Sequence, residues 1–413
     1  MDSRSGNINQ QLESKSKLAN KIAVKVKKQA EKIVLQGHPW VYESSIIKQN
    51  KEAQAGDIAV IFDQRNNKLM AIGLFDPESV IRIRVLHVGG PAKIDKDFLA
   101  NVLQAAYEKR ASLLKTETTA YRLCYGENDG LSGLIIDIYN DVAVVKLYSS
   151  VWLPYLDWIK EILVGAFNIK SIVLRLNRNL QAHLETFTDG QIIFGTLESE
   201  EVVFLEHALK FRANLIKGHK TGYFLDHRNN RLKVRSLAKN KRVLDVFSYA
   251  GGFSVNAIAG GAKTVTSLDI SAQALEIAKS NVALNFQEAQ HFTMAIDAFE
   301  GLKELLLLRK EFDLVIVDPP SFAKSEEQVA KAINSYKRLV KAVLPIVAKD
   351  GILLMASCSS RVSKSVFFEL VTEEIRRLGS KFTILETATH DVDHPEGISE
   401  LSYLKSIYLQ LDT

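Results

Sequence analysis

Two residues late in the chain have the right types, in the right places, for covalent chemistry on a flat heterocycle. Cys358 sits in SCSS (357–360), just after an apolar run, and Asp318 opens DPPSF (318–322), just after DLVIV. A thiolate that adds to carbon-6 of a pyrimidine pushes electron density onto carbon-5, which is otherwise a poor nucleophile toward a methyl donor. Asp318, followed by two rigid prolines, is a fixed acceptor that could bond the ring nitrogen or exocyclic amine and stabilise the charge that develops. Each residue also has a plainer use: proline ends strands, and a lone cysteine is commonly small core filler. Placement at the carboxyl end of a strand, beside a carboxylate, favours a thiol that faces a pocket.

A second set of residues describes a nucleoside site. In VLDVFSYAGGF (243–253), Gly251 and Gly252 allow a tight turn and close backbone approach to a ligand. Asp269 follows Asp245 by 24 residues, about where an acid accepts hydrogen bonds from ribose hydroxyls. A tight turn with a capping carboxylate would look the same. The GxGxxG loop that holds a dinucleotide pyrophosphate is absent, and Asp245 stands at the strand end instead. A carboxylate there repels pyrophosphate and attracts an amino group, which favours S-adenosylmethionine over NAD. Asp297, after the next strand, could reach an adenine amino group or could be an ordinary surface acid.

These residues are ordered by the elements around them. From 242 onward, short β-branched runs at 243–247, 264–269, 291–294, 313–317, 351–356, 382–387 and 403–411 alternate with helical stretches. That pattern predicts an α/β domain with a doubly wound sheet, in which ligands bind outside the carboxyl ends of the strands. Ser271 is placed to cap a helix over 272–284. Ahead of this domain, 21–28 alternates with basic residues outward, and β-like runs follow at 58–62, 68–74 and 80–87. We read a polar, mobile tail over 1–20, a small all-β domain over 21–93, a mixed α+β middle domain over 94–205 and the α/β domain over 206–413. Lys25, Lys27, Lys28 and Lys32 are expected near the face of the first strand.

Composition narrows the class. With 413 residues, 46% apolar and 24% charged, the chain is long enough for two or three domains and close to the globular average. No apolar stretch approaches the length of a spanning helix, and the first twenty residues lack the apolar core of a signal peptide, so a cytoplasmic protein with no membrane partner is expected. The net charge of +5 permits nucleic-acid binding without requiring it. Two cysteines, Cys124 and Cys358, exclude a disulfide framework. His390 and His394 beside Asp391 and Asp393 could mimic a metal site, but a hydrogen-bonded loop is the preferred reading and no metal is expected.

Taken together, the motifs resemble the RlmI-like class I methyltransferases, which modify large-subunit ribosomal RNA at cytosine carbon-5. GHPWVYESSI (37–46) and the stretch from Gly73 to Arg84 are similar to that family's RNA-binding PUA barrel. RLCYGENDGLSGLIIDIY (122–139), HKTGYFLDHRNNR (219–231), FSYAGGF, LDIS, DPPSF, SCSS and Tyr403-Leu404-Lys405 follow in the family's order and spacing. The resemblance implies that Asp245, Ser248, Tyr249, Gly251, Asp269, Ile270, Asp297 and Ala298 contact S-adenosylmethionine. Lys220, Asp226 and Arg228 would lie close to the cofactor. Asp318 would contact the base at the edge of the cofactor site, and Cys358 would be the nucleophile.

Many 5-methylcytosine enzymes carry a second cysteine in the fourth-strand motif, where this chain reads DPPSF; the RlmI-like group lacks it too. Two other readings stay open. One is an RNA methyltransferase acting on a purine ring nitrogen, which needs no covalent catalyst; Cys358 argues against it. The other is a non-catalytic RNA-binding assembly factor, which has no use for Asp269, Asp318 and Cys358 together. A homodimer is one option for the assembly.

Overall fold

A computed structural model of the chain describes residues 19–184, 186–323 and 325–412. The tail expected over 1–20 therefore lies almost wholly outside the described residues. Two compact units are present. One holds the described residues up to Lys109 together with Arg122–Glu198 and Leu215–Lys217; the other holds Arg110–Tyr121, Ser199–Asn214 and everything from Gly218. Among the described residues no helix is long and apolar enough to cross a membrane.

The first unit contains a six-stranded sheet in the order Trp40–Tyr42, Ile81–Val88, Leu69–Phe75, Ile58–Phe62, Lys21–Val26, Ile46–Gln49. Period-two alternation in the first strand buries Ile22, Val24 and Val26 and turns the lysines outward. The strand stops earlier than its alternation suggests. Lys28–Leu35 is a helix that buries Ala30 and Val34, so Lys28 and Lys32 sit on a helix rather than on the strand face. The spacing of Ala30 and Val34, four residues apart, is the helical signal that the lysine-rich alternation masks. A five-stranded sheet follows, ordered Gln191–Phe194, Ser171–Leu176, Val142–Leu147, Leu134–Tyr139, Ala120–Tyr125.

The second unit is built on a seven-stranded sheet in the order His291–Ala295, Thr264–Asp269, Arg242–Val246, Phe312–Val317, Val347–Ser357, Lys405–Asp412, Lys381–Ala388. All seven expected strands are present. The first five run parallel, while Lys405–Asp412 is antiparallel to both of its neighbours. Successive residues feed opposite faces. Val315 and Val317 pack with Leu339 and Phe367 on one side, and Leu314 and Ile316 pack with Val234 and Ala257 on the other. Both faces are thus covered by helices, the arrangement that parallel strands require. The expected helix appears as Ala272–Ala283, with Ser271 Oγ accepting from Ala274 N at 3.2 Å.

This order fixes where a ligand belongs. The chain winds outward from Arg242–Val246 through the next two strands, then returns to its other side with Phe312–Val317. The reversal is a switch point, and the residues at its carboxyl edge are Asp245 and Asp318. Asp318 N donates to Val246 O at 3.3 Å, tying the two strand ends together.

Candidate active site

The turn after the first strand is strained. Phe247, Tyr249 and Gly251 have φ of 64°, 46° and 74°, and the first two are non-glycine residues in the left-handed region. Each such residue costs about 1 to 3 kcal/mol, and such strain persists only where surrounding contacts over-determine the backbone. Those contacts are present. Phe247 N and Ser248 N donate to Leu268 O at 2.8 and 3.1 Å, Tyr249 N donates to Asp269 Oδ2 at 2.9 Å, and Asn281 Nδ2 donates to Ala250 O at 2.9 Å. The other oxygen of Asp269 accepts from Ser271 N at 2.8 Å. A Cβ on Gly251 would come within 2.8 Å of the Ala278 Cβ, so glycine is required by packing as well as by φ.

Asp245 is fully buried at the tip of the central strand, where Ser254 Oγ donates to its Oδ2 at 2.6 Å. Ser254 Oγ is 2.7 Å from Ser267 Oγ, which is 2.7 Å from His291 Nε2. Burial pushes the Asp245 carboxyl up to about 7, against the pull of the Ser254 hydrogen bond. Among the described residues, its Oδ1 and the Ser248 Oγ are buried without a hydrogen-bond partner. Unsatisfied buried polar atoms are costly, and here they suit a ligand that brings an ammonium group and further donors.

The remaining cofactor candidates are more peripheral. Asp297 caps the helix Ala298–Leu307, accepting from Phe299 N at 2.9 Å, with Ala298 buried behind it. Ile270 is 74% exposed. Segment 219–226 packs against the turn, with the rings of Phe224 and His219 edge-on to Tyr249 at 5.2 and 5.9 Å. Lys220 Nζ lies 4.4 Å from the Phe224 ring centre and donates to Asp226 Oδ2 at 3.0 Å, and Tyr403 Oη donates to the same oxygen at 2.6 Å. Burial opposes the Asp226 charge, but Lys220 nearby, with the hydrogen bond from Tyr403, holds its carboxyl well below the usual carboxylate range. Asp226 Oδ1 is buried and has no hydrogen-bond partner among the described residues.

Arg228 is fully buried, with its guanidinium donating to Asp391 Oδ2 at 3.0 Å, Asp393 Oδ2 at 2.9 Å and Ala120 O at 3.1 Å. Asp391 and Asp393 thus serve as its anions. Among the described residues no group of three or more His, Cys, Asp or Glu could hold a metal ion.

The second half of the site is brought together across adjacent strands. Cys358 follows the strand beside Phe312–Val317, and its Sγ donates to Pro319 O at 3.6 Å. Ser357 and Ser359 on either side are fully buried. Tyr336 Oη donates to Ser357 Oγ at 2.8 Å, and Ser359 Oγ donates to Ala323 O at 3.3 Å. Lys405 Nζ donates to the carbonyls of Ser359 and Val362, clamping the loop from below. SCSS therefore spends its flanking serines on anchorage and leaves the cysteine partly exposed. Burial, with Asp318 adding to it, pushes the thiol up to about 12, so at neutral pH it is protonated.

Sequence reasoning missed several members of this half. His227 Nε2 lies 3.2 Å from Asp318 Oδ1. Asn230 and Tyr408 support His227 from other elements, while Lys405, which the sequence reading placed in a motif without a role, anchors the loop after Cys358. The available signal was the helix Arg228–Leu237, whose buried face carries Arg228, Asn230 and Arg231 where an apolar stripe is expected.

Comparison with known proteins matches this geometry. A family model of S-adenosylmethionine-dependent methyltransferases covers residues 187–403, and one of PUA-like domains covers 24–87. The chain is 43% identical to a ribosomal RNA large subunit methyltransferase from Deinococcus radiodurans, covering 95% of this chain and 98% of the relative. It is 34% identical to ribosomal RNA large subunit methyltransferase I from Tolumonas auensis, over 90% of this chain and 94% of the relative. A Streptococcus mutans chain assigned to the SAM-dependent methyltransferases shares the fold, with a TM-score of 0.79 at 22% identity over 94% of this chain and 99% of that one. A chain assigned as a methyltransferase and solved with SAH superposes at a TM-score of 0.80, with 22% identity over 95% of this chain and 100% of that one. The unsatisfied Asp245 and Ser248 atoms fit S-adenosylmethionine, the cofactor of the matched domain. The chain belongs to the S-adenosylmethionine-dependent methyltransferases, in the family of the large-subunit ribosomal RNA methyltransferases I.

Proposed function

We propose that this protein methylates carbon-5 of cytosine in large-subunit ribosomal RNA, with Cys358 as a transient nucleophile. The names of the relatives supply the RNA class. The observation that carries the base and the mechanism is the pairing of Cys358 with the Asp318–Pro319 tip, at 3.6 Å from Sγ to the Pro319 carbonyl. Asp245, Ser248, Tyr249, Gly251, Asp269, Ile270, Asp297 and Ala298 hold the cofactor in this reading, with Lys220 and Asp226 beside it. Arg228 acts at one remove, anchoring its neighbours Asp226 and His227 through its carboxylate partners.

Bound S-adenosylmethionine supplies an electrophilic methyl group. Cys358 gives up its proton to solvent and adds through sulfur to carbon-6, so that carbon-5 becomes nucleophilic and takes the methyl group. The carbon-5 proton then passes to a solvent-borne base, the carbon-5–carbon-6 double bond re-forms, and the carbon-6–sulfur bond breaks to release the thiolate, which recovers a proton. Asp318 accepts from the exocyclic amine of the base and fixes carbon-6 within reach of the thiolate. A thiol as weakly acidic as this one is unreactive until substrate alters its surroundings, which guards it from oxidation between turnovers. Residues 21–93 dock RNA, 94–205 form a middle domain and 206–413 carry the chemistry. A base within structured RNA must be extruded before Cys358 can reach it, which requires a docking surface beyond the catalytic domain.

The test is mass spectrometry of modified nucleosides in large-subunit ribosomal RNA from cells lacking this gene. One 5-methylcytidine is expected to disappear. Its persistence, with a methylated purine lost instead, would replace this reading with methylation at a ring nitrogen.

A further inference from the structure

A chain of hydrogen bonds runs from the last long strand to His227, whose Nε2 lies 3.2 Å from Asp318 Oδ1; among the described residues neither of these two buried atoms makes a hydrogen bond, so each is the other's open partner. Tyr408 Oη donates to Asn230 Oδ1 at 2.8 Å, which orients the amide so that Asn230 Nδ2 donates to His227 Nδ1 at 3.0 Å. The same Nδ2 is 3.1 Å from Ser406 Oγ. An imidazole that accepts at Nδ1 carries its proton on Nε2, and Nε2 lies 3.2 Å from Asp318 Oδ1. The ring of Phe253, edge-on at 5.4 Å, confines the imidazole. Tyr408, Asn230 and His227 are buried, the His227 side chain at 6% exposure, while the Asp318 side chain keeps 21%.

We propose that His227 is the positioning residue for Asp318. Its Nε2–H, 3.2 Å from the buried oxygen of Asp318, closes on that oxygen when the base is bound, so that the exposed remainder of the group meets the substrate as a carboxylate, an acceptor only. Such a group reads an amino group on the base edge and repels a carbonyl there, so it selects an amino-bearing base such as cytosine over uracil. This rests on the proposed contact between Asp318 and the base, but not on covalent catalysis by Cys358.

The side chains that distinguish a positioning role from a merely structural one are glutamine and asparagine. Glutamine can place an N–H where His227 Nε2 stands; asparagine falls short of Asp318 but can still pair with Asn230. We expect His227→Asn to lower kcat roughly 10- to 100-fold, the scale of a slightly misplaced reacting group. KM for RNA and the calorimetric affinity for S-adenosylmethionine should stay within about threefold of wild type. His227→Gln should recover most of the lost kcat, and His227→Asn should cost nothing further in an Asp318→Asn background. Ring-nitrogen NMR of the full chain, without ligand, should show the Nε2–H tautomer of His227 and a shift of that resonance in Asp318→Asn. Equal losses in the Gln and Asn variants, additive losses with Asp318→Asn, or an Nδ1–H tautomer would overturn the proposal. Total methyl incorporation from labelled cofactor is the rate readout, so failure of the cytosine carbon-5 reading is seen separately, in the nucleoside analysis.

Discussion

The two halves of the site are built by different means. The half we assign to the cofactor is made by one strand, one turn and the neighbouring strand tip: Asp245, the left-handed turn through Gly251, and Asp269, which bonds the backbone of that turn. The base half is made by side chains that meet only in the folded chain. Cys358 and Asp318 come from adjacent strands, His227 from the segment before the first strand, and Lys405 from the antiparallel strand on the far side. A site written in local backbone tolerates substitution outside its own motif. A site assembled at long range depends on distant supports, and it can be tuned through them.

The comparison breaks most sharply at Cys358. Cys358→Ala should lose at least about a thousandfold in rate, the scale of a closed covalent route, while binding of cofactor and RNA is retained. Single-turnover kinetics with equilibrium binding checks this, and a loss of binding instead would move Cys358 from chemistry to docking. In the cofactor half, Asp269→Ala should weaken S-adenosylmethionine binding by about 1 to 3 kcal/mol, through lost charge-assisted bonds to the ribose and a loosened turn. Calorimetry decides it, and unchanged affinity would remove Asp269 from the site.

A smaller effect follows from the titration of Asp245. Its carboxyl is raised to about 7, so below that pH it is largely neutral in the empty site. A cationic ligand favours the ionised form, so binding releases a proton. Affinity should then rise with pH up to about 7, by at most tenfold per unit, and level off above it. Asp245→Asn should bind more weakly and lose this slope; a slope that survives in the variant would assign the titration elsewhere. The smallest expected effect is at four lysines of the first unit, of which Lys27, Lys28 and Lys32 are exposed and Lys25 is half-buried. Replacing Lys25, Lys27, Lys28 and Lys32 with alanine should weaken RNA binding and flatten its salt dependence by roughly 0.7 to 0.9 in log–log slope per lost phosphate contact. kcat at saturating RNA should be unchanged, and a fall in kcat would place these residues in catalysis.

The same contrast explains what was legible beforehand. The seven strands of the second unit stand out because most are short apolar runs bounded by turn residues, and the parallel ones alternate with helices, among them Ala272–Ala283 with its Ser271 cap. The motifs at their tips are readable because a strand–turn–helix unit places its own ligands. The helix Lys28–Leu35 was not, because Lys27 continues the alternation of Lys21 and Lys25 past the end of the strand and Lys28 prolongs the basic run. His227 was not, because its role depends on Asp318, 91 positions later, and on Asn230 being oriented by Tyr408. The buried network of Arg228 with Asp391 and Asp393 spans an even longer stretch of chain, and no local pattern announces it.

The central claim, covalent addition of Cys358 to cytosine, is tested most directly with RNA containing 5-fluorocytosine. Fluorine at carbon-5 cannot leave as a proton, so an enzyme that adds to carbon-6 and completes methylation stays attached. Incubated with labelled fluorinated large-subunit RNA and S-adenosylmethionine and run on a denaturing gel, the wild-type protein should give a shifted band that Cys358→Ala does not. No shifted band with the wild type, together with full methylation activity in Cys358→Ala, would contradict the account.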